Sequence, residues 1–267
     1  MRSLVDGRSE RSAAFRARVA EIVAGRDPSL GDPRGWNDLD LGIATMQDAR
    51  DLAARVPSLT GEARAKAVWL LSFLRDRRVV PTLIDVFLSD ADVRFSAASG
   101  LASLGGERAK RALLAALVHD DPSLRETAAY ALNYAHDKRA VEPLRERAAD
   151  PRESVAVRAQ AVESLGGIYM CDRRRTRSRE RTVALLLRLL DAPEVELVFW
   201  ASYAVGVMRV RRALPRLDEI RRTDTRTLPM WWSLAEEAEW AMATIRGRPD
   251  PEGFPRTRDV AAVASDA

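Results

Sequence analysis

Residues 93–123 read VRFSAASGLASLGGERAKRALLAALVHDDPS, two short helical segments parted by Gly105-Gly106 and closed by Asp120-Asp121-Pro122. The same pattern stands on either side. Residues 63–92 give ARAKAVWLLSFLRDRRVVPTLIDVFLSDAD, and residues 124–154 give LRETAAYALNYAHDKRAVEPLRERAADPRES. Self-similarity at a period of a few tens of residues means stacked supersecondary units, because no single helix pair buries its apolar side alone.

One small residue sets the register. Ala67, Ala97, Ala128, Ala161, Ala201 and Ala238 follow one another at steps of 30, 31, 33, 40 and 37 residues. Four positions later come Leu71, Leu101, Leu132, Leu165, Val205 and Met242. Three further on come Leu74, Leu104, Ala135, Ile168, Met208 and Ile245. These offsets share one helical stripe, so the first helix of each unit buries a single face, and its alanine lets neighbouring backbones cross closely.

The second helices carry Val80, Leu83 and Phe87, then Leu113, Leu114 and Leu117, then Val141 and Leu144. Asp90, Asp120, Asp150 and Asp191 end them, with Pro122, Pro151 and Pro193 close behind. Asp and Pro stop a helix, and Asp is a good N-cap for the next one. Gly105-Gly106 and Gly166-Gly167 are expected as C-caps of first helices.

This pattern resembles the short HEAT-like repeats of the bilin-lyase type, whose units read roughly V-R-x-x-A-x-x-A-L-x-x-L-G-D-x-R-A-V-x-x-L. Val93, Arg94, Ala97, Leu101 and Leu104 carry the first half, and Asp137, Arg139, Ala140, Val141 and Leu144 the second. The resemblance spans about residues 61–247. It implies an all-α fold: a right-handed α-solenoid of five to six HEAT-like helix pairs with an N-terminal helical cap. Residues 1–58 then form the cap and linker, with one helix over 8–24, another over 43–56 and Trp36 on the first repeat. Residues 59–247 form the solenoid, and 248–267 a flexible tail.

Arginine supplies nearly all the positive charge, since lysine occurs only at positions 66, 110 and 138. The 43 basic and 39 acidic residues leave a net charge of +4, small for a nucleic-acid binder. Cys171 stands alone, so no internal disulfide forms. No apolar run reaches the roughly 18 residues of a membrane span. A cytoplasmic protein without a membrane segment is expected.

Three candidate sites depart from the repeat. Arg173, Arg174, Arg175, Arg177, Arg179 and Arg181 crowd into nine residues of an enlarged connection in the fourth unit, suited to an acidic protein surface or a phosphate backbone. Thr82, Asp85, Ala112, Ala115, Glu146 and Arg147 are expected on a concave wall of second helices, mixed in character and suited to a protein surface. Trp232, Glu236 and Trp240 are spaced for one face of a last helix, with Trp231, Leu234, Ala238, Met242 and Ile245 opposite, as if to cradle a flat or cationic ligand. This third set is similar to the aromatics and acid of HEAT-like alkylated-base DNA glycosylases, though no segment has their motif spacing.

At the turns inside each unit, acids sit beside bases: Asp76-Arg77-Arg78, Glu107-Arg108, Asp137-Lys138-Arg139 and Asp172-Arg173-Arg174, with Arg209 and Arg211-Arg212 in the fifth. A structural ladder of pairs across neighbouring repeats is expected there. His119 and His136 fall in turns at opposite helix ends, so no shared metal is expected. No cofactor is expected, and Cys171 lacks a sequence-adjacent histidine. The expected function is a non-enzymatic protein-binding scaffold or adaptor. The alternative is nucleic-acid binding or base excision through the arginine segment and the tryptophans. The resemblance alone adds a bilin-lyase-like helper of cofactor attachment.

Overall fold

The computed structural model describes residues 46–248 apart from 74, 75 and 173, together with residues 13, 16, 17, 19–21, 24 and 26. Trp36, Leu74, Arg173, Phe254 and the tail beyond residue 248 lie outside the described residues, as does most of the 8–24 segment. The chain divides into two compact units, one ending at Ala135 and one starting at His136.

The first unit holds α1 (Met46–Arg55), α2 (Gly61–Phe73), α3 (Val80–Ser89), α4 (Arg94–Leu104), α5 (Gly106–Ala116) and α6 (Pro122–Ala135). The second holds α7 (Val141–Ala149), α8 (Val155–Tyr169), α9 (Arg177–Leu189), α10 (Val195–Val207), α11 (Leu214–Thr223) and α12 (Leu234–Arg246). The only β-pairing among the described residues is the isolated Thr227–Ser233 bridge.

Both units follow one packing rule. First helices pack on the next first helices, α2 on α4 on α6 and α8 on α10 on α12. Each second helix packs on the first helix that follows it: α3 on α4, α5 on α6, α7 on α8, α9 on α10 and α11 on α12. This is all-α solenoid stacking. All six register alanines are fully buried, and the residues four positions later, from Leu71 to Met242, are buried as well. Of the positions seven later, Leu104, Ile168, Met208 and Ile245 are buried and Ala135 is half-buried. Burying a Leu or Ile side chain contributes about 1.5–3 kcal/mol. The repeated apolar stripe is therefore the principal source of cohesion.

First helices meet where two small residues coincide. A Cβ on Gly166 would lie 2.9 Å from the Ala204 Cα, and one on Gly206 would lie 3.0 Å from the Ala241 Cα. One on Gly100 would meet Ser72 Oγ at 2.7 Å. Gly166 and Gly167 are thus not C-caps. They sit inside α8, because the backbone of α10 leaves no room at Gly166 for a side chain.

The left-handed turn comes eight residues after the register alanine. Gly105 (φ 62°), His136 (φ 47°) and Arg209 (φ 54°) occupy it. In the fourth unit α8 runs on through this position to Tyr169.

Within a unit, an arginine three residues before the alanine reaches the acid that closes the same unit. Arg64 reaches Asp90 at 2.5 Å, Arg94 reaches Asp121 at 3.0 Å and Arg158 reaches Glu194 at 3.2 Å. Asp90 and Asp150 end their own helices as expected, but they do not cap the next ones: they accept the N–H groups of Asp92 and Arg152.

Candidate functional site

The enlarged connection of the fourth unit is shorter than the sequence implies. Among the described residues only 170–172 and 174–176 lie outside helices here, and α9 begins at Arg177 because the Thr176 Oγ1 accepts the Arg179 N–H at 3.1 Å. Arg177, Arg179 and Arg181 are therefore helical. Arg174 folds back on Asp172, with Nε–Oδ1 and Nη2–Oδ2 distances of 3.0 Å. Lys138 bonds to the same carboxylate, and the two cations, Arg174 first, hold the Asp172 carboxyl well below the usual range. Arg175, Arg177 and Arg181 are exposed.

Within the turns an aspartate meets the arginine two residues on. Asp76 pairs with Arg78, Asp137 with Arg139 at 2.6 Å, and Asp172 with Arg174. Asp76 and Asp137 also accept the backbone N–H of the same arginine at 3.0 Å. These pairs lie inside one turn, not between repeats as expected. Lys138–Asp172 is the pair that joins successive turns in the expected way.

The fifth turn departs from the rule. Val210, a buried apolar residue, stands where the aspartate belongs, and the first turn of the helix behind it has no side-chain cap. Arg212 instead reaches back to Glu180 on α9 at 2.7 Å. Arg175, Arg209 and Arg211 have no carboxylate partner among the described residues. Arg179 donates from Nη2 to the Met208 carbonyl at 2.7 Å, while its buried Nε meets no acceptor.

These groups surround one hollow of about 600 Å³, lined by Arg175, Arg179, Glu180, Val183, Arg209, Val210, Arg211 and Arg212. Five guanidiniums face a single carboxylate. Sequence reasoning marked the segment 173–181 but assigned Arg209, Arg211 and Arg212 to the structural ladder. The missing aspartate at Val210 was the signal that separates them from the ladder.

The tryptophan set is arranged differently from its spacing. Ser233 caps α12 in a capping box with Glu236, so Trp231 and Trp232 precede the helix. Trp232 therefore shares no helical face with Glu236 and Trp240. Its ring meets Phe199 at 5.7 Å and its Nε1 donates to Glu237 at 2.7 Å. Trp240 stacks on Tyr203 at 5.7 Å with 6° between the planes, and Trp231 contacts Phe199 and Trp200. The buried acid is Glu237, which the sequence pattern did not single out. Burial pushes its carboxyl up to about 8, against the Trp232 hydrogen bond.

On the second helices, Asp85 and Glu146 are exposed and Thr82, Ala112 and Arg147 half-buried, with Ala115 exposed. Arg147 lies 3.5 Å from Glu153. His136 and Cys171, far apart in sequence, line one open hollow of about 900 Å³ with Lys138 and Arg174, and no hydrogen bond joins them. No group of three or more His, Cys, Asp or Glu among the described residues is placed to hold a metal ion. No helix among them is long and apolar enough to cross a membrane.

Residues 50–133 and 111–174 match the family model for HEAT repeats. The helix pairs, their register and this match show HEAT-like repeats over residues 50–174, and the same packing rule continues through the helices that follow. Among solved structures, an engineered protein aligns with a TM-score of 0.50 and 19% identity, covering 76% of this chain and 98% of its own. The complex of CpcE and CpcF of phycocyanin lyase from Nostoc sp. aligns with a TM-score of 0.48 and 22% identity, over 57% of this chain and 93% of that one. Human deoxyhypusine hydroxylase in complex with glycerol gives 0.42 and 17%, over 91% and 88%. The likeness to the engineered protein is one of fold. No curated protein matches the chain.

Proposed function

We propose that this chain is a non-enzymatic scaffold that binds a partner protein, with the arginine-lined hollow of the second unit as its principal contact. The observation that carries this reading is the cluster Arg175, Arg209 and Arg211, left without carboxylates where the Asp-x-Arg turns at Asp76, Asp137 and Asp172 each pair their arginine with their own aspartate. Exposed guanidiniums with unspent donors suit an acidic protein surface. The exposed second-helix residues Asp85 and Glu146, beside Thr82 and Arg147, supply a mixed polar surface that adds specificity more than affinity.

Affinity capture from native lysate with the purified full chain tests this. A partner retained by the wild type and lost from an Arg175→Glu/Arg211→Glu variant supports the scaffold reading. Turnover of a small molecule by the purified chain, with no protein retained, rejects it.

Nucleic-acid binding is the second reading, and the same hollow is what favours it. It predicts retention on DNA or RNA with a steep salt dependence.

A further inference from the structure

The hollow between α9 and the fifth turn shows more than positive charge. We propose that it is a binding site for a phosphate monoester, carried, if the scaffold reading holds, on a phosphorylated segment of the partner protein.

Electrostatics of the folded chain alone does not account for this arrangement. The first turn of α9 holds Arg177 and Arg179, and the turn leading into α11 holds Arg211 and Arg212. Helix N-termini carry partial positive charge and favour acids. Here the α9 terminus and the turn before α11 face one space with arginines on both. Each other intra-repeat turn with an Asp-x-Arg sequence spends its arginine on the aspartate. At the fifth, Val210 removes that aspartate. Among the described residues Glu180 is the only acid in the lining, and Arg212 already holds it at 2.7 Å.

Arg179 is held in the lining, because its Nη2 donates to the Met208 carbonyl at 2.7 Å and this fixes the guanidinium plane.

The donors fit a phosphate monoester better than a carboxylate. The three exposed guanidiniums without carboxylates, Arg175, Arg209 and Arg211, offer more N–H groups than two carboxylate oxygens accept. A monoester brings three terminal oxygens and a charge of about −1.5 to −2. They also fit a single group better than a polymer backbone. Within this unit Arg139 pairs with Asp137 and Arg226 with Asp224, while Arg174 and Lys138 share Asp172. Arg177 and Arg181, exposed on α9, are the further bases a nucleic-acid strand would reach, and the oligonucleotide titration below decides between the two ligands.

The test is calorimetric titration of the full chain with phenyl phosphate, with benzoate as the carboxylate counterpart and a single-stranded oligonucleotide as the polymer. Arg209 and Arg211 are exposed and make no ion pair, so an Arg209→Gln/Arg211→Gln variant folds as the wild type does. Phenyl phosphate is expected to bind saturably at one site and at least tenfold more weakly to this variant. Arg188→Gln, a single charge loss near the far end of α9, is expected to leave binding unchanged. Absence of saturable binding overturns the proposal, as does equal loss in Arg188→Gln or equally tight benzoate. Tighter oligonucleotide binding that falls steeply with salt overturns it in favour of nucleic acid. A captured partner that binds wild type and variant alike, without competition from phenyl phosphate, removes the phosphate site and leaves the scaffold reading standing. Site-specific phenyl phosphate binding with no partner protein does the reverse.

Discussion

The indole N–H of Trp232 donates to Oε2 of Glu237 at 2.7 Å, and this is the hydrogen bond made by that fully buried carboxyl, whose Oε1 meets no partner. Burial outweighs the bond and pushes the carboxyl up to about 8. The unfolded chain releases this proton near pH 4.5 and the folded chain near pH 8. Between those values the folded state binds the extra proton, so the stability contribution is complete below the lower value and is lost as pH rises through the upper one. Glu237→Gln keeps an acceptor for Trp232 and removes the titration. It is expected to flatten the stability profile over that window and to exceed the wild type at pH 8 by a few kcal/mol, since a proton held more tightly by one pH unit is worth about 1.36 kcal/mol. Urea unfolding at pH 5, 6.5 and 8, followed by circular dichroism, measures this, and parallel profiles contradict it.

Trp232→Phe removes the donor and keeps the ring. The carboxyl then loses the one bond that favours its charged form, so its proton is released at still higher pH. The fall in stability is expected to extend further into the alkaline range than in the wild type, measured by the same unfolding series.

Arg94 ties three elements of the first unit together. It is buried, with bonds to the Phe87 carbonyl at 3.1 Å, the Asp121 carboxylate at 3.0 Å and the Ser123 hydroxyl at 2.9 Å. Arg94→Ala leaves a buried carbonyl unsatisfied and an acid unpaired. A loss of about 2–4 kcal/mol is expected, read from the urea midpoint. Arg111→Ala, which loses only an exposed pair with Glu107, is expected to cost less than about 1 kcal/mol.

Two glycines separate packing from backbone strain. A Cβ on Gly166 meets the Ala204 backbone at 2.9 Å, so Gly166→Ala forces α8 and α10 apart at a cost of about 1–3 kcal/mol. A Cβ on Gly105 would meet no atom within 4 Å, but the backbone there has φ 62° and ψ −152°, a region L-residues almost never enter, so Gly105→Ala costs about 1–3 kcal/mol from strain alone. Differential scanning calorimetry is expected to show a drop in Tm for both variants, and an unchanged Tm in either contradicts its cause.

The register was legible from Ala67 to Ala238 because spacing along a helix is a local property: offsets of four and seven reach the same face whatever surrounds them. Turn chemistry was less legible. Gly166-Gly167 looked like a helix end because glycine serves both as a cap and as a close-packing residue, and α10 decides between them. Trp232 looked helical because its spacing fits, yet the Ser233–Glu236 capping box starts the helix only after it.

Sequence alone established the kind of molecule: helix pairs repeated about alanine anchors, an apolar stripe for each, and a HEAT-like signature. Tertiary structure alone decided which charges are spent. Arg212 meets Glu180 across 32 positions in sequence, Arg209 and Arg211 meet no acid among the described residues, and Glu237 is shut away from water. Hydrophobic periodicity acts between neighbours three and four residues apart and can be read from a string of letters. Ion pairing and desolvation depend on what distant turns bring within a few ångströms, and only the packed chain sets those distances.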